Sequence, residues 1–184
     1  MLVAGCSAPG GQHPRVRVET TAGDIIMEVY PDKAPLTANA FLAHVDAGYY
    51  HHGSFYRVLK DDNQPSNAVK ANLIQGGIWK TNYKLASSLP GIPHEPTSKT
   101  QLSHTDRMVS MSRMEPGTAA TEFFICIGDQ PGFDFGGDNN PDGQGYAVFG
   151  KVIDGMQTVY HIFNRHSFEQ SIDPPVVIIS IVRE

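Results

Sequence analysis

The sequence predicts a mainly-β domain, an antiparallel barrel or sandwich carrying two helices. Three observations lead there. Short apolar runs with strand-like patterning recur between polar stretches rich in Gly, Pro and Asn. Only two segments place apolar residues at helical spacing. No internal repeat divides the 184 residues, a length that suits one domain with a sizeable core. Periodicity alone does not choose between barrel and sandwich.

Residues 1–14, rich in Gly, Pro and Ser, read as a flexible lead-in to a folded domain over 15–184. Val16 and Val18 form one apolar row, Thr20 to Asp24 supplies turn chemistry, and Ile25 to Tyr30 returns, which is a hairpin pattern. Pro35 suits the first turn of a helix whose apolar face is Leu36, Ala40, Phe41 and Val45, with Gly48 ending the run. Phe55–Leu59 reads as a strand, Lys60–Asn67 as a polar turn-rich segment, and Ala71–Gln75 as another strand before Gly76-Gly77. Residues 78–107 hold prolines at 90, 93 and 96 and read as a long ordered loop. Met108–Met111 and Phe123–Ile127 are buried-strand patterns, Gly128–Gly145 is a loop, and Tyr146–Ile153 is a strand. Asp154 is placed as the N-cap of a second helix with Met156, Val159, Tyr160 and Phe163 on one face. Val176–Val182, after Pro174-Pro175, closes the chain as a strand.

Composition excludes several classes. Apolar residues make up 40% and charged residues 18%, so the chain is not globally disordered. A net charge of −5, with Arg and Lys scattered, gives no footprint for nucleic acid. No apolar run approaches the roughly 20 residues of a membrane span. Cys126 lies in an apolar run and reads as a buried thiol, which makes a disulfide to Cys6 improbable. The small residues before Cys6 resemble the end of a bacterial lipoprotein signal, although its charged and long apolar parts are missing. On that reading Cys6 is lipidated and the protein works at the envelope or in the periplasm. On the other, Cys6 is incidental and the protein is cytoplasmic. Membrane attachment is expected only through Cys6.

Three segments in order, Phe55-Tyr56-Arg57-Val58, Leu73-Ile74-Gln75-Gly76-Gly77 and Glu122-Phe123-Phe124-Ile125-Cys126, make the chain resemble the cyclophilins. Val148–Met156 adds to the likeness, which runs from about Val16 to Val182. The resemblance implies a closed eight-stranded antiparallel β-barrel capped by two α-helices. It implies peptidyl-prolyl cis–trans isomerase activity without a cofactor or metal, on proline-containing peptides and unfolded proteins. It makes Arg57 the catalytic arginine, Gln75 its partner and a substrate contact, Phe124 the floor of a proline pocket and Leu73 its aliphatic wall. No nucleophile or base is needed, because only a rotation barrier of about 18–20 kcal/mol must be lowered. A guanidinium donor aimed at the proline nitrogen suits that task.

The departures from the family pattern fall at other expected substrate contacts. About ten extra residues, Lys60 to Lys70, separate Arg57 from Gln75. Asn72 stands where many members have a pocket phenylalanine. Ser112 and Arg113 replace a small residue and an asparagine, Arg113 being similar to some bacterial members. Glu122 replaces a glutamine, and could either tune Arg57 or face solvent. Tyr146 replaces a histidine, and Phe133 lies near an aliphatic position. Gly132 falls near a tryptophan linked to cyclosporin binding, which is therefore expected to be weak.

Other motifs fail. Asp138-Asn139-Asn140-Pro141-Asp142-Gly143 begins like a calcium loop, but Phe149 occupies its twelfth position. Asp134-Phe135-Gly136 lacks the companions of a kinase triplet. The eight histidines show no closed zinc spacing, and His104, Asp106 and nearby serines form no recognisable nucleophile pattern. A proline-binding or chaperone-like module with little turnover is the competing function class. Residues 60–70 or 78–107 could also grip a specific partner.

Overall fold

In the computed structural model, which describes residues 13–184, the chain opens on a hairpin. Arg15–Thr20 (β1) pairs antiparallel with Gly23–Val29 (β2), placing the fully buried Val16 and Val18 opposite Met27 and Ile25. Thr20 closes the two-residue turn: its hydroxyl donates to the Gly23 carbonyl (2.6 Å) and accepts from the Ala22 N–H (3.0 Å). Pro14 accepts a hydrogen bond from the Val29 N–H, and His13 packs on the Tyr30 ring. Cys6 lies outside the described residues.

Pro35–Asp46 (α1) starts at its proline and is followed by Gly48 at φ +69°, where glycine is favoured. Its buried face is Thr37, Ala38, Phe41, Leu42 and Val45, whereas Leu36 is 45% exposed. The cause of this rotation is polar. The wholly buried Glu95 accepts from the Thr37 N–H (2.7 Å) and hydroxyl (2.8 Å), which turns Thr37 inward and Leu36 out.

Gly53–Leu59 (β3), Leu73–Gly77 (β4), Met108–Met111 (β5), Phe123–Cys126 (β6) and Ala147–Asp154 (β7) follow, and the chain ends with Ser167–Phe168 (β8) and Ser171–Arg183 (β9). The antiparallel order β1-β2-β7-β5-β6-β4-β3-β9 closes on itself through β1–β9 pairing, giving an eight-stranded barrel with β8 outside it. Closure leaves no free edge, the usual solution for a long antiparallel sheet. Between Phe55 and Arg57 on β3, β9 advances from Ser171 to Val176, so Pro174 and Pro175 bulge out where no N–H is needed. The last strand therefore begins before its prolines, and the Asp173–Pro174 peptide is cis.

The described residues contain four α-helices, two more than expected. Residues 78–107 carry two short ones, Tyr83–Ser88 (α2), capped by the Asn82 side chain, and Thr97–Thr100 (α3). Met156–Phe163 (α4) buries Met156, Val159 and Ile162, while Tyr160 is exposed. Its N-cap is Gly155 at φ +83°, not Asp154, which ends β7. A Cβ on Gly155 would collide with the Asp24 carbonyl, so backbone proximity selects glycine there.

One apolar core fills the barrel and the space under α1 and α4. Phe41 from α1 meets Phe149 (4.7 Å between ring centroids), and Phe123 meets Phe55 (5.7 Å, edge-on). A second, smaller apolar cluster is separate: Leu59, Ala71, Leu73, Phe124, Cys126 and Phe133, with Tyr146 against it. Alternation explains it. Ile74, Phe123 and Ile125 point into the barrel, so Leu73, Phe124 and Cys126 point out.

Candidate active site

The outer cluster is the floor of a site that starts with a β-bulge. Strict alternation on β3 would put Phe55 and Arg57 on one face. Instead the register shifts between them, and Phe55 and Val58, three residues apart, both enter the barrel core. Tyr56 and Arg57 are thereby both released from it, the re-aiming that bulges commonly provide. Pairing then lays a row across four neighbouring strands: Arg57 opposite Gln75, Gln75 opposite Phe124, and Phe124 opposite Ser110.

Hydrogen bonds hold the polar end of that row. Arg57 Nη1 donates to Gln75 Oε1 (3.1 Å), while Nε and Nη2 both donate to Gln170 Oε1 (3.0 and 2.7 Å). Gln75 Nε2 donates to the Tyr56 hydroxyl (3.1 Å), which donates to Glu122 Oε2 (2.6 Å). Burial, reinforced by Glu122, raises the Tyr56 pKa far above its ordinary 10, so the phenol keeps its proton and remains the donor. Glu122 Oε1 accepts from the N–H groups of Ile78 (2.8 Å) and Trp79 (2.9 Å). A Cβ on Gly77, at φ +151°, would collide with that carboxylate. Glu122 is thus half-buried and bonded to Tyr56, Ile78 and Trp79 rather than to Arg57, with Tyr56 and Gln75 between the two.

The apolar end is aromatic. Phe124 lies 5.3 Å from Phe133 and 5.4 Å from Tyr146, and Phe133 is 5.2 Å from Tyr146. Behind Phe124 the ring of His104 stacks at 5.9 Å and 10°. His104 Nδ1 is 2.7 Å from Asp134 Oδ1 and Nε2 is 3.0 Å from Ser110 Oγ. This Ser–His–Asp chain was not legible in the spacing. With Ser110 wholly buried and His104 1% exposed, it is sealed from any substrate and braces Phe124.

The polar and the aromatic end meet at a cavity of about 240 Å³. Of the sequence-predicted residues, Arg57, Leu73, Gln75, Ser112, Phe124, Phe133 and Tyr146 line it. Gln75 and Ser112 also border an adjoining cavity of about 620 Å³, with Arg113 and Glu122. Arg113 is committed elsewhere. It is 9% exposed and directs its donors to Asp142 (2.7 and 3.0 Å), the Met114 carbonyl and the Gly145 carbonyl, beneath the Tyr146 ring. All five of its N–H groups are engaged, so it positions the 128–145 loop and has none left for a substrate. Asn72 does not line the smaller cavity. Its amide turns to Asp61 (3.0 Å), and Gln64, Pro65, Ala68 and Val69 from the inserted segment border the cavity instead. Gly132 is filled in by a neighbour, since a Cβ there would lie 2.7 Å from the Asn139 amide, and Asn139 lines the cavity.

Gln170 was missed in the sequence. It sits at the tip of the β8–β9 hairpin, where Glu-Gln carries no turn signature. Among the described residues no three His, Cys, Asp or Glu side chains gather as a metal site would need, and no helix is long and apolar enough to cross a membrane.

Residues 15–183 match the family described as cyclophilin type peptidyl-prolyl cis-trans isomerase/CLD. The chain is 33% identical over 172 residues to a peptidyl-prolyl cis-trans isomerase of Acinetobacter baylyi, covering 90% of this chain and 83% of that protein. It is 32% identical over 145 residues to peptidyl-prolyl cis-trans isomerase B of Escherichia coli, covering 78% and 80%. A crystal structure of a cyclophilin type peptidyl-prolyl cis-trans isomerase from Cryptosporidium parvum superposes with a TM-score of 0.71 at 24% identity, over 93% of this chain and 97% of that one. The same protein solved in the presence of the dipeptide Ala-Pro gives a TM-score of 0.70 at 24% identity, over 92% and 98%. The matched segment begins with the first residue of β1 and ends with the last of β9, and the chain belongs to the cyclophilin-type peptidyl-prolyl cis–trans isomerases, a family of enzymes.

Proposed function

We propose that this isomerase lowers the barrier to Xaa–Pro rotation by donating a hydrogen bond from Arg57 to the proline nitrogen of the twisted amide. The planar amide spreads the nitrogen lone pair into the carbonyl, and twisting localises it on nitrogen. A donor aimed there binds the twisted form better than either planar form, which is what lowers a barrier. The observation that carries this reading is the donor count at Arg57. Among the described residues three of its five N–H groups are engaged, which leaves one on each Nη for the cavity that Arg57 lines. Arg113, by contrast, has none.

The substrate is a proline-containing peptide or unfolded chain whose pyrrolidine ring rests on Phe124, Phe133, Tyr146 and Leu73. The Ala-Pro dipeptide used with the Cryptosporidium parvum protein supports that class. Cyclosporin binding is weak, because Gly132 offers no side chain and Asn139 takes its space. Exchange NMR on a proline tetrapeptide tests the mechanism. Arg57→Ala lowers kcat/KM by about 10²–10³-fold, the scale of losing one transition-state donor. A variant as fast as wild type, or saturable binding with no exchange in the parent protein, refutes it.

A further inference from the structure

The segment from Lys60 to Ala71 folds back on the cavity as a braced rim. Gln64 stitches its neck: Nε2 donates to the carbonyls of Lys60 (2.7 Å) and Ala71 (2.8 Å), and Oε1 accepts from the Ala71 N–H (3.2 Å). Asn63 Nδ2 donates to the carbonyls of Val58 and Glu169, both 3.0 Å away, tying the rim to β3 and to the turn that holds Gln170. Lys70 Nζ reaches the carbonyls of Gln64 (2.8 Å) and Pro65 (2.9 Å), and Asn72 holds Asp61. The rim is otherwise polar. Yet Pro65, Ala68 and Val69 border the cavity, and Val69 is 47% exposed. A braced loop that leaves an aliphatic side chain at the mouth of a cavity whose floor is aromatic offers a surface for another apolar group.

Gln75 borders both this cavity and the larger one beside it, whereas Ala68 and Val69 border this cavity and not the larger one. We infer that the residue before proline runs over Gln75 toward the larger cavity, and that Pro65, Ala68 and Val69 form a subsite for an apolar side chain on the residue that follows proline. This rests on the reading of Arg57 given above.

The test is exchange NMR on two peptide series, one varying the residue after proline (Leu, Ala, Lys, Asp) and one varying the residue before it. The wild-type enzyme is expected to favour Leu over Lys and Asp after proline. Val69→Asp should shift the Leu-to-Lys ratio of kcat/KM by about tenfold toward Lys, the low end for one apolar pocket contact. The series before proline should keep its order. Pro65→Ser, which adds no charge, should reduce the Leu preference without favouring Lys. An unchanged profile in folded Val69→Asp, a change confined to the residue before proline, or one factor applied equally to every peptide overturns the subsite. The last of these outcomes describes a lid. If Arg57→Ala is inactive while Val69→Asp keeps the wild-type profile, the subsite alone fails. If Arg57→Ala keeps full activity, the mechanism itself fails.

Discussion

Gln170 Oε1 accepts two hydrogen bonds from one edge of Arg57, Nε at 3.0 Å and Nη2 at 2.7 Å, from a hairpin turn 113 residues further along the chain. With Gln75 on Nη1, two amides fix the guanidinium plane from two sides. A planar fork held this way keeps its remaining donors in a defined direction without reorganising when the amide twists.

Gln170 is therefore a positioning residue. Gln170→Ala should lower kcat by about tenfold, with KM changed less, since Arg57 remains but loses its orientation. Gln170→Glu keeps an acceptor and should recover most of the rate. Equal loss in both variants, or a loss confined to KM, would contradict the assignment.

The Glu122–Tyr56–Gln75 chain predicts a separation of stability from rate. Glu122→Ala strands the N–H groups of Ile78 and Trp79 and the Tyr56 hydroxyl, and should cost about 2–3 kcal/mol in urea unfolding. Tyr56→Phe keeps the ring and Glu122's backbone partners. It should cost about 1 kcal/mol and still slow kcat severalfold, because Gln75 Nε2 loses its acceptor. A Tyr56→Phe enzyme with the wild-type rate would show that Gln75 needs no anchor.

How much of this was legible depended on whether a role sits in a contiguous string. Arg57, Gln75 and Phe124 each stand in a short strand segment with a readable pattern, and pairing brings those strands side by side. Hairpins and helices whose apolar rows face one core were legible for the same reason. Residues whose task is set by topology were not. Gln170 looks like any polar hairpin tip, and no alternation reveals the bulge that frees Tyr56 together with Arg57. Apolar character points Leu36 inward, but the buried Glu95 draws Thr37 in and rotates the helix while Phe41 and Val45 stay buried. The family resemblance puts Asn72 at the cavity, while the preceding insertion supplies that wall instead.

Glu95 itself gives a stability prediction. Its Oε2 satisfies Thr37 at the amino end of α1 and pins the segment containing α2 and α3 to that helix. Glu95→Ala leaves a buried N–H and hydroxyl without partners, and should lower unfolding free energy by about 2–4 kcal/mol with the urea m-value unchanged. Since Glu95 lies outside the row of Arg57, Gln75 and Phe124, native Glu95→Ala should retain kcat well below its melting point. A loss under 1 kcal/mol would mean that water or a rearranged loop takes over the cap.

His104 sets the response to mild acid. Burial lowers its pKa below the ordinary 6.5 even though Asp134, the partner of Nδ1, pulls the other way; the imidazole is fully enclosed and burial dominates. The unfolded chain takes up this proton as pH falls through 6.5, before the native state does. Stability is thus fully present above 6.5 and declines as pH falls from there toward the native value. His44, also lowered by burial, adds to the same window. Asp134 acts further down. Burial raises its pKa but the hydrogen bonds from His104 outweigh that, so its contribution is present above 3.8 and lost as pH drops through its lower native value. Melting temperature should accordingly fall between pH 7 and 5, and His104→Asn, which cannot titrate there, should show a shallower fall than wild type. Parallel curves for the two proteins would place the acid sensitivity at His44 or elsewhere. Native His104 stays neutral through that window, so activity of the folded enzyme should hold there and fall only at the lower native pKa, where protonated His104 no longer offers Nε2 as an acceptor to Ser110 behind Phe124.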